Sequence, residues 1–240
     1  MHKIAVLSFS GGMDSSSLLF QILTEGYSKV YCYSFDYGQR HSIEIEKSQE
    51  LVQALNHAGF DVNYQRINVR DVFSDSQSAI GANKAEEVPE NEYNTENLKV
   101  TVVENRNVIF SAIIYGKALA LSKKFDADVD ILMGVHGNDL SVYPDCRPES
   151  VNMAKELYRI SNYGSERINY KAPFVDVTKS QVLKAGLAAL EKLGLTAEMY
   201  SHTSSCYNPH DGKACGKCAT CLDRLKAFKD AGIQDPIPYQ

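Results

Sequence analysis

Ser8-Phe9-Ser10-Gly11-Gly12-Met13-Asp14-Ser15-Ser16-Ser17 stands between two apolar runs, Ile4-Ala5-Val6-Leu7 before it and Leu18-Leu19-Phe20-Gln21-Ile22-Leu23 after it. Four apolar residues in line read as a strand buried on both faces, the paired glycines as a tight turn, and the Asp and Ser residues as helix N-caps. The first N–H groups of a helix lack intrahelical partners and carry the positive end of its dipole, so an anion fits at such a turn. Glycines let a phosphate approach the main chain, and the hydroxyls of Ser10, Ser15, Ser16 and Ser17 add donors. A bare helix cap needs a single Ser or Asp and not this whole constellation.

The spacing is neither the GxxxxGK[ST] of a Walker A loop nor the GxGxxG of a dinucleotide fingerprint. Ser-Gly-Gly-x-Asp-Ser after a short strand instead resembles the PP-loop of the N-type ATP pyrophosphatases. Those enzymes split ATP into AMP and pyrophosphate to adenylate an acceptor. The first helix is predicted over about Ser15 to Thr24, and a second strand over Val30–Phe35. Strand, helix and strand at this spacing imply parallel pairing, with both carboxyl ends on the ligand-binding edge of the sheet. The expected fold class is α/β, with a doubly wound, mostly parallel sheet of the adenine nucleotide alpha hydrolase-like, PP-loop kind. Residues 1–200 would form that domain, and 201–240 a C-terminal helical, metal-bound segment packed on it.

With 44% hydrophobic and 23% charged residues in 240, the composition is that of an ordinary globular chain. A net charge of −5 argues against nucleic acid as the main partner, since gripping a phosphate backbone calls for a basic surface. No apolar run approaches the roughly 20 residues of a membrane span, and no signal peptide is evident, so no membrane partner is expected and a cytoplasmic location is. Six cysteines then read as metal ligands or thiols before disulfides.

Polar segments recur where strands end. Asp36-Tyr37-Gly38-Gln39-Arg40-His41 follows the second strand, placing the backbone near an adenine and Arg40 and His41 near phosphate or substrate. An amphipathic helix is predicted from Ser42 to about Ala58 and a third strand from Asp61 to Asn68. Residues 74–99, with few apolar anchors and the acidic run Glu86 to Glu92, read as a mobile flap near the site. Asn105-Arg106-Asn107 opens a helix over Val108–Leu121, and Arg106 is either an anion ligand or a salt-bridged or capping residue. A strand over Val129–Val135 ends at His136-Gly137-Asn138-Asp139. Tyr143-Pro144-Asp145-Cys146-Arg147-Pro148 is then a rigid turn, with Cys146 read as a packed residue and not as a nucleophile. A helix from about Glu149 to Ser161 follows, and Lys179 opens another. A cation at a helix start is slightly unfavourable and invites a reason such as a phosphate partner.

Cys206, Cys215, Cys218 and Cys221 supply four soft thiolates on short loops, as two overlapping CxxC units and a fourth Cys nine residues upstream. That is the donor set of a closed tetrahedral zinc site, which holds structure and does not activate water. His202 and His210 are the spare ligands.

Taken together, Ser-Gly-Gly-Met-Asp-Ser at 10–15, Phe-Asp-Tyr-Gly-Gln-Arg-His at 35–41, Arg106-Asn107, Tyr-Pro-Asp-Cys-Arg at 143–147 and the Ser205-Cys206-Tyr207 to Cys221 cluster resemble the QueC family over almost the full length. The resemblance implies a 7-cyano-7-deazaguanine synthase of queuosine biosynthesis. Such an enzyme adenylates 7-carboxy-7-deazaguanine with ATP, admits ammonia to form the amide, and dehydrates the amide to the nitrile with a second ATP. It implies ATP with Mg2+, a bound Zn2+, free ammonia as nitrogen donor and a homodimer. Carried over by position, Phe9 to Leu19 (Phe9, Ser10, Gly11, Gly12, Met13, Asp14, Ser15, Ser16, Ser17, Leu18, Leu19) with Phe35, Gly38, Arg40 and His41 would hold ATP. Gly11, Gly12 and Ser15 would lie on the pyrophosphate and Asp14 near the magnesium. Arg106, Asp145, Arg147 and Lys179 would line the substrate side, and the four cysteines would hold zinc. Two positions depart from the family's pattern: Val103-Glu104-Asn105 stands where Pro-Gly usually precedes Arg-Asn, and Ser141-Val142 where Ser-Gly precedes Tyr-Pro-Asp. The rival readings are an enzyme that stops at the amide or joins a deazaguanine to another molecule, a PP-loop enzyme acting on tRNA, and a non-enzymatic zinc-ribbon module.

Overall fold

The computed structural model describes residues 3–83, 86–91, 95–137 and 142–240. Five parallel strands form one sheet in the order β3-β2-β1-β4-β5. They are β1 (Lys3–Ser8), β2 (Lys29–Asp36), β3 (Val62–Asn68), β4 (Asp128–Leu132) and β5 (Ile168–Lys171). Seven α-helices are described: α1 (Met13–Leu23), α2 (Ile43–His57), α3 (Thr95–Leu98), α4 (Arg106–Phe125), α5 (Pro148–Ser161), α6 (Lys179–Lys192) and α7 (Ala219–Asp230).

β1 is central and buried on both faces, as its unbroken apolar run implies. Because side chains alternate, Ile4 and Val6 enter one core with Phe110, Ile114 and Ala118 of α4. Ala5 and Leu7 enter the other with Leu18, Leu19, Leu51, Leu183 and Phe228 from α1, α2, α6 and α7. The sheet is therefore doubly wound. Strand order reverses between β1 and β4, and a crevice at the carboxyl ends of such a reversal is where open α/β sheets bind ligands.

Helix α6 packs against α1 through Gly186, where a Cβ would overlap the Tyr200 hydroxyl and lie 2.8 Å from the Ser17 Cβ. Tyr200 is fully buried and its hydroxyl is 2.7 Å from that of Ser17, so neither neighbour can withdraw into water. We expect Gly186→Ala to cost about 2–3 kcal/mol by overpacking, a fall of roughly 5–10 °C in Tm. Gly116→Ala in α4, with nothing within 4 Å, should instead raise stability by up to about 1 kcal/mol. Calorimetry of the two variants checks both signs.

Two expectations change, and one departure from the family's pattern finds its structural setting. The fourth strand ends at Leu132 and not at Val135, because residues 133–135 peel away to line the crevice. Gly134 passes the main chain of α1 there, and a Cβ would sit 3.3 Å from the Ser15 Cα. The described residues of 74–99 are not the loosely anchored flap expected: Ser76, Ser78, Ala79, Ile80 and Val88 are buried. The Ala79 N–H donates to Val100 O at 2.8 Å, Arg40 N–H to Ile80 O at 3.0 Å and Asn91 N–H to Lys217 O at 2.8 Å. A few small side chains anchor the segment, which ties the 36–41 loop to the cysteine-rich one. Finally, Asn105 adopts φ +55°, the left-handed backbone that favours glycine. Asn tolerates this region better than most residues, so the departure from the family's Pro-Gly keeps the turn into α4. Glu92, Asn138, Asp139 and Ser141 lie outside the described residues.

Candidate active site

The crevice is walled by Ser8, Phe9, Ser10, Gly12, Asp14 and Ser15 on one side, and by Phe35, Tyr37, Gln39, His41, Glu44, Arg106, Phe110, Tyr143 and Tyr207 on another. Gly134 to His136 and Lys179 also line it. At Gly11, with φ +82°, a Cβ would stand 2.6 Å from Glu44 O and 2.8 Å from the Ser48 Cβ, so the turn can lie on α2 only as glycine. Gly12 is the N-cap of α1 with no side-chain cap hydrogen bond. Its N–H donates to the Ser10 Oγ at 3.1 Å, which is also 3.1 Å from the Ser15 Oγ. Donors thus crowd the start of α1, as a phosphate site requires.

Asp14 sits at the inner end of this loop. Its Oδ2 lies 3.2 Å from the Lys179 Nζ and 3.5 Å from the His136 Nε2, a junction drawn from α1, α6 and the segment that follows β4. Burial alone would raise the Asp14 carboxyl, and the charges of Lys179 and His136 outweigh it, holding the group well below the usual carboxylate range. Its Oδ1 is buried with no hydrogen-bond partner among the described residues. A largely buried, ionised carboxylate with one unpartnered oxygen beside a phosphate-binding turn fits a magnesium ligand.

The second wall is the 36–41 loop. Gln39 stitches it by accepting from Tyr37 N–H at 3.0 Å and donating to Phe35 O at 3.1 Å. Asp36 at the end of β2 binds the Arg66 guanidinium, the Arg70 Nε at 2.8 Å and the Gly38 N–H at 3.1 Å. Burial would raise its carboxyl, and these donors pull it down to about 2. A depressed folded pKa adds stability that is complete above the unfolded value of 3.8 and is lost as pH falls toward 2. Asp36→Asn should therefore cost about 1–2 kcal/mol near pH 7, discounted because both arginines are half exposed, and almost nothing near pH 2. Urea unfolding at the two pH values tests this.

The described placements sort the expected residues. Phe9, Ser10, Gly12, Asp14, Ser15, Phe35, His41, Arg106 and Lys179 line the crevice. Met13, Leu18 and Leu19 do not, because they turn into the core on the far side of α1, and Ser17 is spent on Tyr200 and Met13 O. Ser16 is buried within α1 outside the crevice wall. Gly38 packs toward Ala82, and Arg40 turns out to Glu87 at 3.4 Å. Asp145 accepts from Asn107 N–H at 3.0 Å and so orders the first turn of α4 behind the site, while Arg147 is exposed at the start of α5. Lys179 meets a carboxylate, Asp14, at its helix start.

The sulfur atoms of Cys206, Cys215, Cys218 and Cys221 all lie within 4.8 Å of one another and are buried. The N–H groups of Asn208, Cys215, Lys217 and Cys218 donate to their sulfurs at 3.2–3.4 Å, which suits thiolates. The set fits a closed four-sulfur metal site such as zinc. His202 pairs with Glu50 and His210 lies exposed beside Asp211, so neither joins it.

Sequence reasoning did not find the ties from this cluster to the glycine loop. Thr220 Oγ1, 3.3 Å from the Cys218 sulfur, donates to Ser205 O at 2.6 Å. The Ser205 Oγ accepts the Met13 N–H at 3.2 Å, and Ser204 N–H donates to Gly11 O at 3.0 Å. Arg224, fully buried, braces the strap through Asp235 at 2.7 Å and the Thr203 Oγ1 at 2.8 Å. The available signal was the Ser205-Cys206-Tyr207 triplet, whose serine has no metal role.

A doubly wound parallel sheet with a Ser-Gly-Gly-x-Asp-Ser turn at its strand-order reversal, backed by a four-cysteine cluster, defines a protein of the PP-loop class. Residues 4–232 match the family described as Queuosine biosynthesis protein QueC, and the chain belongs to that family. Its relatives named 7-cyano-7-deazaguanine synthase include one from Hahella chejuensis, 40% identical over 98% of this chain and 93% of that protein. Others are from Marinobacter nauticus, 38% identical over 100% and 99%, and Caldicellulosiruptor saccharolyticus, 37% identical over 98% and 95%. Among the described residues no helix is long and apolar enough to cross a membrane.

Proposed function

We propose that this chain is an ATP-dependent, C–N bond-forming ligase that converts 7-carboxy-7-deazaguanine and ammonia to 7-cyano-7-deazaguanine. A carboxylate is a poor electrophile until one oxygen becomes a good leaving group. Attack of that oxygen on the α-phosphorus of ATP expels pyrophosphate and leaves an acyl adenylate; ammonia then displaces AMP to give the amide. Attack of the amide oxygen on a second ATP, again expelling pyrophosphate, and loss of AMP with the remaining N–H protons gives the nitrile.

Within this reading Ser10, Gly11, Gly12 and Ser15 cradle the phosphates, with Phe9, Phe35 and His41 in the wall of the nucleotide end. Lys179 and His136 keep Asp14 ionised, and Asp14 would hold the magnesium, which when bound neutralises phosphate charge. Zinc on the four cysteines fixes the 201–240 segment against the 1–200 domain. The observation that carries the proposal is the unpartnered Oδ1 of Asp14 in the first turn of α1, next to the glycine pair, in a chain of the QueC family. Chromatography of the spent nucleotide tests it: AMP and pyrophosphate must appear, and only when the acid is present. Formation of ADP, or AMP release that ignores the acid, overturns it.

The homodimer belongs to the same reading. Met153, Leu157 and Ile160 line one exposed side of α5, beside the exposed Tyr163, an apolar face suited to an isologous contact with a second copy. Light scattering of Leu157→Lys against the parent chain checks it.

A further inference from the structure

Two carboxylates line the crevice among the described residues, and both have partners: Asp14 meets Lys179 and His136, while Glu44 meets the His41 Nε2 at 3.1 Å. Of the two permanent cations in the wall, Lys179 is thereby answered. Arg106 is not, for no carboxylate lies within salt-bridge distance of it among the described residues. Its guanidinium, half-buried, lies 5.7 Å from the Tyr37 ring and 6.0 Å from that of Tyr143, and donates to the Tyr37 hydroxyl at 3.2 Å. The Tyr143 hydroxyl is 3.1 Å from that of Tyr207, and Phe110 stacks on Phe35 at 4.0 Å behind them.

Removing a guanidinium from water without an anion is costly, and ring faces return only part of that cost. Its planar fork matches a carboxylate through two parallel hydrogen bonds. Aromatic walls on either side favour a flat ring over a flexible chain. Arg106 shares the crevice with the glycine loop and Asp14, so a carboxylate received by it shares one cavity with the site read for the polyphosphate.

We propose that Arg106 receives the carboxylate of the acceptor while Tyr37, Tyr143 and Tyr207 flank its ring, so that this end of the crevice selects planar heteroaromatic carboxylates. The assignment rests on the function proposed above. It carries a consequence for turnover: the ligand's negative charge disappears once its carboxylate has been converted, so Arg106 holds the acid more tightly than the uncharged nitrile and favours product release.

The test is calorimetric titration of the full chain, loaded with zinc, with ATP, 7-carboxy-7-deazaguanine and 7-cyano-7-deazaguanine in separate experiments. Arg106→Gln should weaken the acid roughly 30- to 100-fold, the nitrile far less, and ATP by less than about twofold. Arg106→Lys, which keeps the charge and loses the fork, should fall between and serves if the glutamine variant is misfolded. Unchanged affinity for the acid in both variants would overturn the site. Equal losses for ATP and acid would overturn it too, by placing Arg106 on the phosphates. A parent chain that binds ATP and ignores the acid would instead overturn the functional reading, and the site with it.

Discussion

Cys218→Ser, or removal of the metal with a strong chelator, is expected to lower the stability of this protein by at least about 3 kcal/mol and Tm by roughly 6–12 °C. The larger consequence lies at the nucleotide site. Cys218 adjoins Thr220, Thr220 holds Ser205, and Ser205 accepts the N–H of Met13 in the first turn of α1. Ser204 holds Gly11 O in the same stretch. Releasing the cluster frees both hydrogen bonds that set the glycine loop, and ATP affinity should fall about tenfold, a coupling near 1.4 kcal/mol. Ser205→Ala separates the two effects: it keeps all four sulfurs and the Ser204–Gly11 bond, and should reproduce part of the affinity loss with a smaller fall in Tm than metal removal. Calorimetric ATP titrations of both variants read the coupling directly. Full ATP affinity in the metal-free protein would show that the loop holds itself.

Lys179→Met is expected to be nearly as severe, by a different route. Lys179 is buried and Asp14 largely so, and deleting the cation leaves a carboxylate opposed only by His136. The loss should be about 2–4 kcal/mol near neutral pH, since a broken buried pair strands its surviving charge. The sign with pH is distinctive. In the parent, Asp14 is held below its unfolded value of 3.8, so its contribution is complete above that value and fades as pH falls through it. In the variant, burial acts against the ionised form, so the deficit is greatest at neutral pH and shrinks as pH drops below about 4. Turnover should fall at least about a hundredfold, because Asp14 no longer keeps the geometry its metal and phosphates need. Denaturation curves across the pH range, set beside rates at saturating ATP, test both parts; a deficit independent of pH would mean that Lys179 does not act through Asp14.

The parts of the molecule legible in the sequence are those set by neighbours along the chain. The apolar run at Ile4–Leu7, the glycine pair at 11–12 and the spacing of the four cysteines each carry their reason within a few residues, and each stands where expected. What was not legible depends on contacts between segments remote in sequence. Nothing near Lys179 announces that Asp14 waits across the crevice, and nothing near Ser205 announces the Met13 N–H. Residues 74–99 misled for a related reason: two fully buried apolar side chains, Ala79 and Ile80, outweigh a long polar surround, and composition averages them away. Leu18 and Leu19 misled in the opposite sense, since they adjoin the loop in sequence yet face the core across α1.

The most direct measurement of the central claim is mass spectrometry of the product formed when the purified chain is given ATP, magnesium, ammonia and 7-carboxy-7-deazaguanine. Conversion of the acid to the nitrile through a transient amide is expected, with AMP and pyrophosphate accumulating in step. Recovery of the acid unchanged, with neither amide nor nitrile formed by a protein that still binds ATP, would contradict it.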